Sequence, residues 1–360
     1  MSPETFMDAF ETFPEQDEAK RLLRAALAEG PAHAYLFHGP RGVGKRRAAL
    51  AFAGELLRDP DRVARGVHPD VYVLEPLGDQ IRIDPIRHLR RDLHMRPFES
   101  DRRVYLVLRA HLMNEDAADA LLKDLEEPPP YAVIALVADE LGLLPPTIRS
   151  RCQLVPFRRL SQRAIKAFLS SRGVEGEPLD ALARVAAGRL DRAERLLDAQ
   201  AGERRDGLIE LARSVYRDPA FDPATASRRV SDFAQERAAR ARAAAETEAT
   251  GDETARELEQ RSRRAGRGAE REEILDALDL LSGWYRDLMV VAAGADGSVL
   301  NSDRLAELAA DGIPERGPAA ERAAETVRDV WRSFEFNVQP GLALEALFVR
   351  LRRELGGART

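Results

Sequence analysis

The residues whose types and spacing could do chemistry are gathered in one stretch, Tyr35–Ala49, reading YLFHGPRGVGKRRAA. An apolar run, Tyr35-Leu36-Phe37, enters a glycine-rich loop ending at Lys45, and a helical sequence follows. Strand, glycine loop, lysine and helix are the parts of a phosphate cradle. Gly39, Gly42 and Gly44 let backbone N–H groups point inward, the helix start adds partial positive charge, and Lys45 reaches terminal phosphates. The pattern asks next for a Ser or Thr hydroxyl to ligate magnesium. Arg46 stands there, and a guanidinium has donors but no acceptor. Two readings stay open on these residues alone. The loop holds a phosphate or ATP/ADP without metal-assisted hydrolysis, or it is a helix-start turn that only packs.

Other reactive types are sparse. Cys152 is the only cysteine of the chain, which excludes intramolecular disulfides and cysteine-based zinc sites. His33, His38, His68, His88 and His94 lack metal-type spacing and read as structural or surface groups, and His111 as a loop contact. A net charge of −6 gives no global footprint for nucleic acid, so Arg87–Arg91 and Arg261–Arg267 read as solvated faces. The acidic start has no basic-then-apolar signal segment, and no apolar run approaches the roughly 20 residues of a membrane span. A cytoplasmic protein without membrane contact is expected.

The elements that must position the loop follow from periodicity. At 360 residues, two or three domains are expected. Residues 15–29 have helical spacing, stopped by Gly30-Pro31. Asp70–Glu75 reads as a strand entered through His68-Pro69, Ile81–Ile83 as a possible further one, and Arg58–Val67 as a polar connection. Pro85–His94 is a helix. Arg103–Leu108 and Ala132–Val137 are near-continuous apolar runs, typical of strands buried on both faces. Asn114 caps a helix through Glu127, and Leu154–Phe157 is a last short strand. Strands alternating with helices predict an α/β fold with a parallel sheet and helices on both faces. Beyond Leu160 only helices are predicted: Ser161–Ser171, Leu179–Ala187 and Leu190–Ala199, then a helical remainder with a mobile link near Thr250–Glu253, an apolar helix Ile274–Ala292, and a closing pair, Ala319–Phe336 and Leu342–Leu355.

These residues resemble a known family. AHAYLFHGPRGVGK (32–45), HPD (68–70), ALLKDLEEPP (120–129), LLPPTIRSRCQLVPF (143–157), WYRDL (284–288) and NVQPGLALEAL (337–347) are similar to the δ′ family of bacterial DNA polymerase III clamp-loader subunits, within the AAA+ family. The resemblance implies a AAA+ P-loop domain over 1–158, a helical lid over 159–203 and an all-helical collar over 204–360. It implies partners too: γ/τ-type ATPase subunits and a δ subunit in a heteropentameric ring, with the sliding clamp and primer–template DNA reached through the complex, as part of a DNA-directed DNA polymerase holoenzyme. In that family the Ser-Arg-Cys element, here Ser150-Arg151-Cys152, presents its arginine to the nucleotide of the neighbouring subunit. The competing reading of Arg151 is a structural cation paired within its own domain. Arg192 matches the phosphate-sensing arginine of motor subunits, with a solvent-facing helix residue as the alternative.

Departures from the motor pattern all point one way. The acidic pair that holds magnesium falls on Leu108 and Arg109, the polar sensor on Ala138, and the hydroxyl on Arg46. The interval Arg58–Val67, where relatives carry a zinc module, has no cysteine, so no metal is expected. In ALLKDLEEPP, Leu121, Leu122 and Leu125 read as core, while Lys123, Glu126 and Glu127 read as solvated charges. The resemblance also allows Lys123 to touch DNA phosphate. The expectation is a non-hydrolysing subunit with no required cofactor. An active ATPase motor subunit needs the missing hydroxyl and acids, and a P-loop kinase leaves the Ser-Arg-Cys element unexplained.

Overall fold

In the computed structural model, described residues are 9–76, 80–198, 201–247, 255–334 and 338–356. In chain order the elements are α1 (Asp17–Glu29), β1 (Ala34–His38), α2 (Lys45–Leu57), α3 (Pro60–Ala64), β2 (Val71–Leu74), α4 (Ile83–Leu93), β3 (Arg103–Val107), α5 (Glu115–Glu126), β4 (Ala132–Ala138), α6 (Pro146–Arg149), β5 (Gln153–Pro156) and α7 (Gln162–Ser170). Then come α8 (Glu177–Val185), α9 (Leu190–Arg195), α10 (Ala201–Arg217), α11 (Pro223–Thr247), α12 (Ala255–Ala292), α13 (Leu305–Asp311), α14 (Gly317–Ser333) and α15 (Pro340–Gly356).

The strands form one five-stranded sheet in the order β2-β3-β4-β1-β5, every pair parallel. Side chains alternate between faces along a strand, and here both faces are buried. Tyr35, Phe37, Val104, Leu106, Val133, Ala135 and Val137 face one apolar cluster, together with Phe52 of α2 and Leu23 of α1. Leu36, Tyr105, Val107, Ile134 and Leu136 face the other, with Leu89 of α4 and Leu121 of α5. That double burial is why the strands read as continuous apolar runs. The expected α/β fold, a parallel sheet with helices on both faces, is therefore present, followed by a helical C-terminal region.

The chain divides into two compact units. Among the described residues one holds 9–76, 80–174 and 186–194, and the other holds 175–185 and the helical region from 195 onward. The stretch expected as a lid is shared between them. In the helical unit Trp284 and Tyr285 of α12 are fully buried. Trp284 Nε1 donates to Tyr216 Oη at 3.2 Å, and Tyr285 Oη donates to the Ala212 carbonyl at 3.2 Å. Asp287 accepts the N–H groups of Leu300 and Asn301. The WYRDL segment is thus the pin of this core.

Several local expectations are corrected. Arg58–Val67 contains α3, started by Asp59, whose side chain accepts the Arg62 N–H, with Pro60 in the first turn. Ile81–Ile83 is no strand: Ile81 makes an isolated bridge to Met113, and α4 begins at Ile83. Ile274–Ala292 is the end of a longer helix, α12. The expected link near Thr250–Glu253 lies outside the described residues, as does Asn337.

The HPD segment has a structural explanation. Asp70, fully buried, accepts the N–H groups of Phe98, Glu99 and Ser100 at 2.6, 3.0 and 2.9 Å, with Arg103 Nε 3.9 Å away. His68 Nδ1 accepts the Asp70 N–H at 3.1 Å. Burial pushes the Asp70 carboxyl upward, but the three amides and Arg103 outweigh it and hold it below the usual carboxylate range. Its stabilisation is accordingly full above the unfolded value and is lost as pH falls through the lowered folded one. Asp70→Ala is expected to lower the unfolding free energy in urea by about 3 kcal/mol, since it strands three amides at a buried site. Asp70→Asn is expected to show a shallower loss of stability on acidification than the parent chain.

Candidate functional site

The glycine loop leaves the carboxyl end of β1 between β4 and β5, where the strand order reverses and open α/β sheets place their ligands. Gly39, Gly42 and Gly44 all have positive φ, at 139°, 77° and 99°. An added Cβ at Gly39 would lie 2.2 Å from the Phe157 carbonyl oxygen, so the close approach to the end of β5 requires glycine there.

Lys45 opens α2 and is buried. Its Nζ donates to the carbonyls of Gly39 and Pro40, each at 2.6 Å, and lies 2.9 Å from Asp139 Oδ1. An ammonium has three hydrogens, so this set of oxygens takes its full donor complement. Burial pulls the Lys45 pKa below the usual lysine range, with Asp139 opposing that pull. Burial alone would raise Asp139, but Lys45, His111 and Arg41 hold it below the usual carboxylate range. The Asp139 N–H donates to His111 Nδ1 at 3.2 Å, which is the loop contact expected of that histidine.

The loop is also covered from the chain's own later sequence. The N–H groups of Leu190 and Asp191 at the start of α9 donate to the Gly42 carbonyl at 2.6 and 3.3 Å. The Asp191 carboxylate, paired with Arg189 at 2.9 Å, is so close that a Cβ on Gly42 would fall 1.8 Å from its Oδ1. Arg192 lies half-buried on α9, and its N–H donates to Asp191 Oδ1 at 2.8 Å. Gly39, Gly42, Gly44, Lys45 and Arg192 are thus brought together at one end of the sheet.

The residues here do not fit a magnesium–nucleotide. Arg46 pairs with Glu75 and offers no acceptor. Leu108 is buried, and Arg109 has a left-handed backbone, φ 52°, leading into a short 3-10 turn. Glu115 and Asp116 sit in the first turn of α5, where the helix dipole favours acids. Among the described residues no group of three or more His, Cys, Asp or Glu is arranged to hold a metal.

Arg151 lies elsewhere. It precedes β5, at the amino end of a parallel sheet whose carboxyl end carries the loop. The four residues of β5 alone put about 13 Å between those ends. Its guanidinium is held within its own domain: Nε and Nη2 both donate to Glu126 Oε1, the Nε bond at 2.8 Å, and Nη1 donates to the Thr147 carbonyl at 2.9 Å. The side chain remains one-third exposed. Cys152 is a packing group whose thiol burial pushes up to about 12.

Residues 15–161 match the family model described as "DNA polymerase III, delta subunit". Over that span, about two fifths of the chain, the sequence is similar to this family. It is 32% identical over 209 residues to DNA polymerase III subunit delta' of Bacillus subtilis and 36% identical over 206 residues to that of Pseudomonas aeruginosa. These matches cover 55% and 52% of this chain, and 64% and 62% of the relatives. Bacillus subtilis subunit tau is 32% identical over 209 residues, covering 54% of this chain and 36% of that one. The chain thus spans less than two thirds of the length of these relatives.

Three residues of this domain escaped sequence reasoning. Asp139 was signalled by an acid at the carboxyl end of a buried strand, one place after Ala138. Glu126 was signalled by an acid in the last turn of a helix, against the dipole; reading it as merely solvated is corrected by its bonds to Arg151. An acid beginning a helix is ordinary, so nothing marked Asp191. Leu122, expected in the core, is only half-buried, whereas Asp124 is buried and paired with Arg90. Removing Asp139 strands a buried ammonium: Asp139→Ala is expected to cost about 3 kcal/mol of unfolding free energy in urea. Adding Lys45→Met is expected to recover more than half of it, which a double-mutant cycle measures.

Proposed function

We propose that this chain is the δ′-type, non-hydrolysing subunit of a DNA polymerase III clamp loader. It lends Arg151 to the nucleotide of a neighbouring ATPase subunit while the sliding clamp is placed on primed DNA. The observation that carries the reading is the opposite fate of two cations. Lys45 spends its three hydrogens on oxygens of its own chain. Arg151 is partly exposed at the other end of the sheet, too far from its own loop to act there. An arginine so placed can reach the nucleotide of another chain. Charge that develops on transferring phosphoryl oxygens is what a fixed guanidinium offsets, at about 10³–10⁵ in rate in other NTPases.

The setting follows from that role. The partners are γ/τ-type ATPase subunits and a δ subunit in a heteropentamer, with the clamp and primer–template DNA reached through the assembly. The location is cytoplasmic, and no described helix is long and apolar enough to cross a membrane. No metal or nucleotide is required by this chain itself. The saturated ammonium, Arg46 in place of a hydroxyl, and Asp191 against Gly42 support a loop that is structural rather than catalytic. The active-motor reading has no acid at 108–109 to rest on.

The purified chain is expected to show no magnesium-dependent ATP turnover above background, and labelled ATP is expected to show no saturable binding in an equilibrium titration. Turnover by the isolated chain would favour the motor reading. In a reconstituted complex Arg151→Ala is expected to depress ATPase and clamp loading; an unchanged rate rejects the trans role.

A further inference from the structure

The carboxylate that holds Arg151 has a geometry of its own. Glu126 ends α5, and its Oε1 accepts from both Nε and Nη2, the side edge of the guanidinium. The Thr147 carbonyl, within α6, takes a hydrogen from Nη1 at 2.9 Å, with Ser150 Oγ at a longer 3.4 Å. A guanidinium is a planar fork with five hydrogens. The tip of the fork, which an oxyanion meets end-on, is the side that no carboxylate takes. We infer that Glu126 is the positioning residue for Arg151, fixing the plane of the guanidinium so that its tip meets phosphate oxygens of a neighbouring chain. This inference rests on the trans role proposed above for Arg151.

Two local features set Glu126 apart from an ordinary surface acid. An acidic group in the last turn of a helix opposes the dipole, and here Glu127 and three prolines follow it directly. An ion pair between groups 33% and 47% exposed adds little to stability. What the pair does supply is direction. Without it a long, flexible side chain samples many rotamers, and each one placed away from the phosphate is unproductive. The Thr147 carbonyl also accepts from Ser150 Oγ at 3.1 Å, so Nη1 is tethered to a fixed backbone point while Glu126 sets the rotation about it.

The test is kinetic, in a complex reconstituted with the ATPase subunits and with the other ATP sites disabled, so that only the site facing Arg151 turns over. Arg151→Ala is expected to lower kcat by about 10³-fold, within the range of trans arginines. Glu126→Ala is expected to lower kcat by roughly 10-fold with KM for ATP unchanged, because misplacement of a catalytic group acts on kcat. Glu126→Gln keeps an acceptor oxygen and is expected to stay within about 3-fold of the parent. Glu126→Ala added to Arg151→Ala is expected to lower the rate no further. An unchanged rate with Arg151→Ala overturns the trans role and this inference together. Loss with Arg151→Ala but an unchanged or faster rate with Glu126→Ala overturns this inference alone, as does an equal slowing by Glu126→Ala in both backgrounds.

Discussion

The interaction on which the rest of the site depends is the enclosure of the Lys45 ammonium by two carbonyls and a carboxylate of its own chain. The start of α2 and the inward-facing N–H groups of a glycine loop concentrate positive potential at the end of β1. A phosphate ordinarily answers it. Here the negative charge is internal, Asp139 from the end of β4 and Asp191 from the start of α9. The glycines keep their shape for a reason independent of ligand: Gly39 must pass the Phe157 carbonyl, and Gly42 must pass Asp191. A loop built for an anion thus becomes a joint that fastens α9 to the sheet within the first unit.

On the proposed reading, a joint closed internally leaves the residues that make a motor without a task. The Arg46 guanidinium then pairs outward with Glu75. The end of β3 can carry Leu108 in the core and turn sharply at Arg109, whose left-handed backbone costs an L residue about 1 kcal/mol. On that reading, three departures that look separate in the chain share one explanation, a change in where the anion comes from.

The sheet was legible because burial on both faces writes each strand as an unbroken apolar run, as in Val104–Val107 and Ala132–Ala138. Asn114 announced its helix, and its side chain accepts the Ala117 N–H. The short α3 was hidden because only one of its residues, Val63, is buried, so no periodicity marks it; its cap, Asp59, was the readable sign. The long α12 was read as two pieces because its first half has few apolar anchors. The site was legible in its glycines and in Arg151, whose spacing is local. Asp139 and Asp191 were not, because their importance comes from strands and helices brought together across long separations, and Glu126 resembled its solvated neighbours Lys123 and Glu127.

The difference between Lys45 and Arg151 comes from the geometry of the cation as much as from its place. An ammonium is a compact point with three hydrogens, and three nearby oxygens exhaust it. A guanidinium has distinct edges, so one can be anchored to a carboxylate while another stays available. A group that must be held by its own domain and still act on a second chain has to be of the latter kind. A lysine at 151 bound to Glu126 and Thr147 would have most of its donors consumed by the same contacts that positioned it. The edge-selective pairing with Glu126 is therefore compatible with the proposed trans role of Arg151 as well as with pairing in its own domain, two readings that the sequence presents as exclusive.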